Sequence, residues 1–595
     1  MEPTPTTHDL PLRKANFACL AEALDYAAKG DTGYNFYNSS GKLKTVMPYR
    51  ALRKEARETA RRLMGLKLER GARVAMVAES NPAFMRLFYA CQYAGLVAVP
   101  LPAAIHIGGR AAYVNNLKRL LATCKADMAM APDGYLPLLI EAAKDLEIGY
   151  VGSPADVDDL PEADAPLMPS EPHELAYLQY TSGSTRFPRG VMITPMVLMN
   201  NLSMITRHGL NVREGDRAVS WLPYYHDMGL VGMVLAPMAA QFSVDYLNPR
   251  DFAMRPRLWP GLISRNKATL SFSPPFGYEL CSTRLRATDI EALDLSSWRV
   301  AGLGAEPIRP EPLVRFAAFL EPAGFDRRAF VAGYGMAECT LAVSFSSIGE
   351  GLVTDRVDRE VLAEFQQAIS LDARIKTMPG TGKTFVNCGE PLPGYEYNIR
   401  DEHGRPLPER CVGILHVRGP SVMTGYFNDP EASAEVLSPS GWLNTGDLAY
   451  QIDRSLVITG REKDMIIING RNIWPQDIEH LAERQPEVRT GDASAFAVEG
   501  PGNSDQAVLV IQCHNVDKAL EADLADRVNK SILLDFGIHC IIDLMPRRTL
   551  PRTTSGKLSR SRARLDYLQR RHAGDGGQTR GRLYVEPGNR MTAMP

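Results

Sequence analysis

The sequence predicts an α/β protein with a large N-terminal domain and a smaller C-terminal domain. At 595 residues the chain is longer than one ordinary hydrophobic core supports. From Gly71 onward, short apolar runs alternate with amphipathic segments of helical length, a pattern typical of a parallel sheet covered by helices. A second alternation of the same kind begins after Arg461. Two α/β units are therefore expected.

In the N-terminal unit the pattern assigns each element in turn. Alternating apolar runs and amphipathic segments predict strands at 74–78, 96–99 and 128–131 and helices at 82–93, 111–124 and 136–146. The segment 150–172 is rich in proline, aspartate and glycine, and it is predicted to be a connecting loop.

The same alternation of apolar runs and amphipathic segments predicts the elements of the shorter C-terminal unit. Its pattern predicts strands at 465–468, 493–498 and 507–512, a helix at 475–484, and a second helix whose apolar face carries Leu520, Leu524, Val528 and Ile532. We place the domain boundary near Arg461 to Lys463. The predicted domains are 1–461 and 462–571, followed by a Gly/Arg-rich tail, 572–595, that is expected to be flexible.

Composition narrows the classes of function. With 67 basic and 69 acidic residues the net charge is −2, which gives no global reason to expect nucleic acid or an anionic membrane as a partner. The nine cysteines are scattered, so individually buried thiols are expected rather than disulfides or a zinc site. The longest apolar stretch, 87–105, is interrupted by Gln92, Gly95 and two prolines, and residues 1–9 lack a signal-peptide pattern. We expect a cytoplasmic protein without a membrane span.

A hydroxyl-rich loop is the first candidate binding site. Apolar runs at 175–180 and 191–193 flank it and predict a strand hairpin. Hydroxyls and exposed backbone N–H groups can surround phosphate oxygens, and Arg186 and Arg189 add positive charge. The alternative is an ordinary Ser/Thr-rich surface turn. The loop residues are Thr181, Ser182, Gly183, Ser184 and Thr185.

A His–Asp pair lies at the end of an aromatic segment. His226 and Asp227 follow 221–225 and precede an apolar run at 228–238. This arrangement suits the mouth of an apolar pocket, although a single histidine is more often a satisfied core residue. The run 228–238 and a second one, 271–280, could line such a pocket or belong to the core.

Three glycine-bearing segments supply further candidates. Glycines on both sides of Tyr334 allow a flat ring to approach closely, and Glu338 could hold a hard cation. Asp447, at a predicted turn, could accept two ribose hydroxyls or belong to an ordinary Asx turn. Lys557 lies on a Gly/Ser-bearing loop that could carry it into a distant site, although surface lysines on loops are common.

In chain order these segments resemble the adenylate-forming superfamily of acyl-CoA synthetases, luciferases and peptide-synthetase adenylation domains. The resemblance covers roughly 17–569. Within the superfamily the chain is most similar to fatty acyl-AMP ligases, on the stretches 221–230 (which ends in HDMGL), 304–307 and 470–479. This resemblance implies a large N-terminal domain of layered β-sheets and helices and a small, mobile α/β C-terminal domain that swivels over it.

The resemblance also implies roles for the matched residues. Thr181 to Thr185 would hold the β- and γ-phosphates, Lys463 would be the hinge, and the catalytic residues would be Lys557, Glu338 and His226, with Glu338 also binding Mg²⁺. The nucleotide would further contact Gly304, Ala305, Glu306, Pro307, Tyr334, Gly335, Met336, Ala337, Asp447 and Arg461. Arg186 and Arg189 replace the glycine and lysine common in the superfamily, which leaves their role open.

The implied reaction uses ATP and Mg²⁺ to convert a medium- or long-chain fatty acid to an acyl-adenylate, releasing pyrophosphate. The acyl group would then pass to the phosphopantetheine thiol of an acyl carrier protein. An insertion at about 349–383 resembles one associated with poor use of coenzyme A in such ligases; the alternative is a neutral surface excursion. The alternatives are an acyl-CoA synthetase, an amino-acid adenylation enzyme in which Asp227 meets the substrate ammonium, and an inactive nucleotide-binding scaffold.

Overall fold

The mixed α/β fold class is confirmed. The structure is a computed structural model, and it describes residues 10–103, 109–181, 188–371, 382–468, 471–500, 505–513, 518–547, 549–553 and 558–574.

Within these ranges the chain forms 26 strands, numbered β1 to β26 in chain order. They are Gly33–Tyr37, Leu43–Pro48, Arg73–Val77, Val97–Leu101, Met128–Met130, Tyr150–Gly152, Tyr177–Tyr180, Gly190–Ile193, Arg217–Ser220, Ser243–Tyr246, Leu270–Ser273, Val300–Leu303, Phe330–Gly335, Ala342–Phe345, Thr354–Asp358, Gly382–Val386, Glu390–Pro391, Glu396–Arg400, Gly413–Arg418, Leu443–Ile452, Ser455–Arg461, Ile466–Ile468, Arg471–Ile473, Ala493–Glu499, Asp505–Gln512 and Cys540–Met545.

The α-helices of the same ranges are numbered α1 to α19. They are Leu20–Ala27, Tyr49–Gly65, Pro82–Ala94, Gly109–Thr123, Leu136–Ala143, Pro154–Asp158, Pro195–Met204, Asp227–Leu230, Ala236–Ala239, Pro249–Met254, Leu258–Asn266, Pro275–Arg284, Ala287–Ile290, Pro310–Leu320, Arg359–Phe365, Pro430–Val436, Pro475–Glu483, Lys518–Phe536 and Arg560–Gly574. No helix in the described part of the chain is both long and apolar enough to cross a bilayer.

Local signals explain where α3 begins and ends. The Asn81 side chain accepts a hydrogen bond from the Phe84 N–H at 3.0 Å, and Pro82 occupies the first turn, where its missing N–H costs nothing. Gly95 ends the helix in the left-handed conformation, with φ 65°. The predicted helix at 82–93 is thereby confirmed.

Two large sheets form the body of the N-terminal domain. The nine-stranded sheet has the order β17-β14-β13-β12-β11-β9-β10-β1-β2, and β1, β10, β9, β11, β12 and β13 run parallel within it. The six-stranded sheet has the order β6-β5-β3-β4-β7-β8, with parallel pairs from β6 to β7 and an antiparallel β7–β8 hairpin. The hairpin predicted around the hydroxyl-rich loop is thus confirmed, whereas loop residues 182–185 lie outside the described residues.

Buried tyrosines fasten an irregular helical segment between the sheets. The turn Val231–Leu235 is a π-helix, whose wider winding frees backbone carbonyls from the regular ladder. The Tyr246 and Tyr34 hydroxyls donate to the Met233 and Val234 carbonyls at 2.6 and 2.7 Å. Because an unpaired buried carbonyl is costly, these bonds fix the shape of the segment.

A four-stranded antiparallel sheet, β18 to β21, closes the N-terminal domain, and a separate core follows it. Beyond β21 the sheet β24-β25-β26 packs against α17 and α18, with Leu524, Val528 and Ile532 buried in its core. Leu520 is exposed, so the predicted apolar face of that helix is one residue too long.

The structure corrects three further expectations. The predicted loop 150–172 begins with β6 and α6, the latter held by reciprocal hydrogen bonds between Ser153 and Asp156. β26 pairs parallel to β25 but was not predicted. α19 runs to Gly574, past the predicted start of the tail, and residues 575–595 lie outside the described residues.

The predicted insertion has ordered structure in its described part. It contains β15 and α15, and β15 pairs antiparallel to β16. The buried Asp355 carboxylate accepts hydrogen bonds from Tyr450 and Arg410 at 2.8 and 3.0 Å. These bonds join the insertion to the four-stranded sheet, while residues 372–381 lie outside the described residues.

Replacing Asp245 should destabilise the N-terminal domain by about 1.5–3 kcal/mol, because it leaves three half-buried donor side chains without their charged, fully buried acceptor. The fully buried Asp245 carboxylate takes two hydrogen bonds from Arg217 at 2.7 Å, and one each from Asn35 and Asn266 at 2.9 and 2.8 Å. We expect Asp245→Ala to lower the thermal unfolding midpoint markedly. Asp145→Ala, which removes the exposed partner of Lys118, is the matched control. Equal melting curves for the two variants would contradict the assignment.

Candidate active site

A cavity of about 1090 Å³ opens at the carboxyl ends of the parallel strands in the nine-stranded sheet. Ligands commonly bind at this edge of parallel sheets. Every described residue of the predicted site lines the cavity: Thr181, His226, Gly304, Ala305, Glu306, Pro307, Tyr334, Gly335, Met336, Ala337, Glu338, Asp447, Arg461 and Lys463. Lys557 lies outside the described residues, but Thr553 and Leu558, on either side of its loop, line the same cavity.

Asp447 links three parts of this wall. Its Oδ2 accepts a hydrogen bond from the Tyr334 hydroxyl at 2.7 Å, and its Oδ1 lies 2.8 Å from Arg461 Nε. Burial and the adjacent carboxylate hold the pKa of Tyr334 well above its ordinary value. The carboxylate likewise raises the pKa of Arg461, despite burial of the guanidinium. The phenol and the guanidinium therefore both stay protonated, and each has a fixed orientation.

A tight turn presents Asp447 to the cavity. The Gly446 N–H donates to Asn444 Oδ1 at 2.9 Å, and Gly446 adopts φ 65°. The Asp447 N–H donates to Thr445 Oγ1 at 3.1 Å, and that hydroxyl donates to the Leu415 carbonyl at 2.8 Å. The Asx turn considered as an alternative is therefore present, and it orients the carboxylate.

At Gly335, in the cavity wall, the neighbouring backbone leaves no room for a side chain. A Cβ on Gly335 would lie 1.8 Å from the Leu341 carbonyl oxygen, where β13 meets β14. Ala305, two residues after β12, has φ 71°, a left-handed conformation that is strained for a residue with a Cβ. Tyr334 and the segment 304–307 after β12 both line the cavity.

Glu338 follows β13 and faces the same cavity. Its Oε1 accepts a hydrogen bond from the Tyr426 hydroxyl at 2.8 Å, and burial raises the pKa of the carboxyl group. No group of three metal-ligating side chains occurs among the described residues. One carboxylate fits Mg²⁺ held mainly by phosphate oxygens, since Mg²⁺ is usually bound by one or two carboxylates together with substrate phosphates and waters.

His226 is held by its own neighbours. Its Nδ1 lies 2.7 Å from Asp227 Oδ1, and the Met228 N–H points to both groups, at 3.3 Å from Nδ1 and 2.7 Å from Oδ1. The pair caps the short helix α8 at the cavity wall. The imidazole is therefore positioned beside the cavity by the helix it caps.

Apolar side chains line one part of the same cavity, here called its apolar branch: Ile205, Leu210, Met228, Met233, Phe272, Leu341 and Phe345. Glycine at 232 and 333 lets the backbone approach Leu341 and Phe345 closely, since a Cβ there would lie 3.3 and 2.9 Å from these side chains. The two predicted lining segments divide between branch and core. Tyr278 is fully buried and donates to the Gly302 carbonyl at 2.9 Å, so it belongs to the core.

Comparison with known proteins places the chain in a family. Residues 32–427 match the profile described as AMP-binding enzyme. The chain belongs to the AMP-binding enzyme family. A Caulobacter vibrioides protein assigned by name to the acyl-CoA synthetases is 44% identical, over 95% of this chain and 98% of that protein. The medium-chain-fatty-acid–[acyl-carrier-protein] ligase JamA of Moorena producens is 32% identical, over 94% and 96%.

A solved structure gives the same result. It comes from a study of fatty acyl-adenylate ligases of E. coli and L. pneumophila, and it has 47% identity and a TM-score of 0.89, covering 95% of this chain and 100% of that one. The resemblance to fatty acyl-AMP ligases is confirmed. The protein is accordingly a ligase of the AMP-binding family, with the architecture of its adenylate-forming members.

In this AMP-binding ligase the predicted hinge residue, Lys463, lies between Arg461 and Asp464, each of which forms an ion pair. β21 ends at Arg461, and a single turn, Glu462–Asp464, leads into the C-terminal unit. Asp464 lies 3.2 Å from Arg560, which also pairs with Glu479 at 2.7 Å. Arg560 lies three positions after Lys557. The ion pairs of Arg560 therefore connect the chain that follows Lys557 to the turn that contains Lys463.

The sequence did not indicate Tyr426 as a site residue. It lies 88 positions from Glu338, outside every segment singled out by pattern, and only the packing of β8 against the chain at 425–427 brings it into the cavity. A tyrosine after glycine carries no pattern that would identify it.

Proposed function

We propose that the protein activates a fatty acid with ATP and then transfers the acyl group to the phosphopantetheine thiol of an acyl carrier protein. The observation that carries this proposal is the cavity itself. It joins the candidate nucleotide residues around Asp447 and Glu338 to an apolar branch in one continuous space. Such a space suits a substrate with a polar reacting end and a long hydrocarbon chain.

The first reaction would form a bond between a carboxylate oxygen and the α-phosphorus of ATP. The bond from that phosphorus to the bridging oxygen would break, and pyrophosphate would leave. Both reactants are anionic, so positive charge fixed in place favours the transition state. We assign this role to Lys557 and Arg461, with Asp447 holding the ribose and Glu338 the cation. Bound Mg²⁺ would offset charge on the phosphates.

The contacts of Asp227 favour a fatty acid over an amino acid. An amino-acid substrate would need a carboxylate that meets its ammonium group. Asp227 already lies 2.7 Å from His226 Nδ1 and accepts the Met228 N–H at 2.7 Å. The apolar side chains farther along the branch offer nothing to a second charged group.

Contacts of the insertion support a carrier protein as the acceptor. Lys383 Nζ lies 2.7 Å from Asp477 of the C-terminal unit and 4.0 Å from the centre of the Trp474 ring. Arg359 lies 3.5 Å from Asp535 and 4.0 Å from the centre of the Phe536 ring. The insertion thus fastens the C-terminal unit in this arrangement.

The second reaction requires that arrangement to change if the C-terminal unit swivels about Lys463. A carrier protein offers a large docking surface, whose burial can offset the loss of these contacts, whereas free coenzyme A offers a much smaller one. The names of the relatives point both ways, because JamA is an acyl-carrier-protein ligase and the Caulobacter protein carries the acyl-CoA synthetase name.

One incubation tests the whole proposal. The protein, ATP, Mg²⁺ and a mixture of medium- and long-chain fatty acids are divided between coenzyme A and a holo acyl carrier protein. Mass spectrometry of both halves should show acyl-adenylate in each and acyl thioester mainly on the carrier protein. Preferential acylation of coenzyme A would favour the acyl-CoA synthetase alternative, and absence of acyl-adenylate would favour the inactive scaffold.

Lys557→Ala should reduce acyl-adenylate formation by about 10²–10³-fold, because one fixed positive charge is lost at the transition state. Pyrophosphate release measures the rate, and titration with a non-hydrolysable ATP analogue measures binding, which should survive. Lys530→Ala, at an exposed lysine of α18, is the control. Normal pyrophosphate release by the Lys557 variant would refute the assignment.

Asp447→Asn should raise the KM for ATP about tenfold to a hundredfold, since a hydrogen bond to a charged group contributes about 1.5–3 kcal/mol. The KM for the fatty acid should stay nearly constant, because the proposed ribose contact of Asp447 does not involve the acyl chain. Asp453→Asn, on an exposed turn of the same sheet, is the matched control. A change in the fatty-acid KM alone would contradict the ribose role.

Removing the insertion's contacts should increase the use of coenzyme A. We expect Arg359→Ala combined with Lys383→Ala to raise acyl-CoA formation about tenfold relative to acyl-carrier-protein formation, which corresponds to about 1.4 kcal/mol. Adenylate formation should be unaffected. Lys118→Ala, which breaks an exposed ion pair far from the insertion, is the control. An unchanged product ratio would show that these contacts do not select the acceptor.

A further inference from the structure

Arg189 lies at the base of the hydroxyl-rich loop, but its side chain points to a different partner from the one expected. Its backbone closes the loop, because the Thr181 N–H donates to the Arg189 carbonyl at 3.0 Å and the Arg189 N–H donates to Thr181 Oγ1 at 3.4 Å. Its guanidinium carbon lies 5.1 Å from the centre of the Tyr426 ring. This distance is typical of a cation–π contact.

Two carboxylates hold the guanidinium over that ring. Arg189 Nε lies 3.8 Å from Asp429, and Nη2 lies 3.5 Å from Glu435. Asp429 is itself fixed, because its Oδ1 caps α16 by accepting the Ala432 N–H at 3.0 Å. The guanidinium is therefore held over Tyr426 by the N-cap residue and a side chain of α16.

Tyr426, which Arg189 covers, is also hydrogen-bonded to Glu338. Its ring is buried, and its hydroxyl donates to Glu338 Oε1 at 2.8 Å. Its backbone is fixed as well, since its N–H donates to Ser433 Oγ at 2.8 Å. The ring therefore has little freedom: its hydroxyl is held at Glu338 while Arg189 lies over its face.

We propose that Arg189 is a positioning residue that acts through Tyr426 to orient the Glu338 carboxylate for its cation. The proposal rests on the proposed function. The loop of the β7–β8 hairpin would bind the phosphates, and through Arg189 the same hairpin would orient the Glu338 carboxylate that binds the metal. One hairpin would thus align both parts of a metal–phosphate complex. A guanidinium already engaged by two carboxylates and a ring is poorly placed to serve a phosphate directly.

The Mg²⁺ dependence of pyrophosphate exchange tests the proposal. Tyr426→Phe keeps the ring and removes only the hydroxyl, whereas Arg189→Ala removes the cation. Each should raise the Mg²⁺ concentration for half-maximal exchange about tenfold. The double variant should be no worse than Tyr426→Phe, because Arg189 acts through that hydroxyl. Arg189→Lys should recover most of the activity, since it retains a cation above the ring.

A direct binding measurement complements the rates. Electron paramagnetic resonance of Mn²⁺ with a non-hydrolysable ATP analogue should show about tenfold weaker metal binding in Arg189→Ala and in Tyr426→Phe. Arg418→Ala removes an arginine that stacks on Trp442 and pairs with Glu396 outside the cavity, and it should change neither readout. Melting curves identify any variant that fails to fold, and Tyr426→Phe then carries the test.

Two results would overturn the proposal. One is additive effects of Arg189→Ala and Tyr426→Phe on the Mg²⁺ dependence. The other is an increase in the KM for pyrophosphate in Arg189→Ala with an unchanged metal dependence, which would mean direct phosphate contact. If the parent protein shows no exchange with any carboxylic acid, the proposed function fails instead, and the Mn²⁺ titration still decides the role of Arg189.

Discussion

The buried carboxylate of Asp447 is the interaction on which the rest of the site depends. A buried charge needs partners, and Asp447 has two: Tyr334 at the end of the parallel sheet and Arg461 at the end of β21, next to the turn 462–464. Asp447 thereby connects the large sheet, the four-stranded sheet and the turn that leads to the C-terminal unit. Any movement of Arg461 must therefore be compensated at Asp447, which couples the turn 462–464 to this wall of the cavity.

The parallel sheet supplies the second constraint. Parallel strands end at one edge, so the segments after β9, β11, β12 and β13 meet there without any long-range pairing of their own. Close backbone approach then selects the residues, as at Gly335, where the Leu341 carbonyl excludes a side chain. The strained Ala305 shows the converse, because a residue with a Cβ is held in a left-handed conformation by its surroundings.

Much of the fold and of the candidate site could be predicted because the signals are local. Apolar runs and the cap at Asn81 are enough to predict α3 and its neighbours. The motifs around Glu338 and Asp447 are short contiguous segments that can be recognised in the sequence alone. What could not be predicted depends on packing between distant segments. The pairing of Tyr426 with Glu338, the guanidinium of Arg189 over that ring, and β6 in a proline-rich stretch have no periodic signal.

The contacts between the two units differ in how readily water can replace them. Arg309 meets the largely buried Glu483 side chain at 2.8 Å in a polar contact, and the cost of desolvating such a pair cancels much of its attraction, because both charges regain their hydration when they separate. The insertion's contacts are different, since Trp474 is buried in one apolar cluster with Val357, Leu362 and Phe385. Separating that cluster exposes apolar surface, which water does not compensate. If the C-terminal unit swivels about Lys463 as proposed, separating the two units would cost little without the insertion. With it, separation would require a partner that contributes binding energy of its own, and this is the physical basis on which we propose a protein acceptor rather than a small thiol.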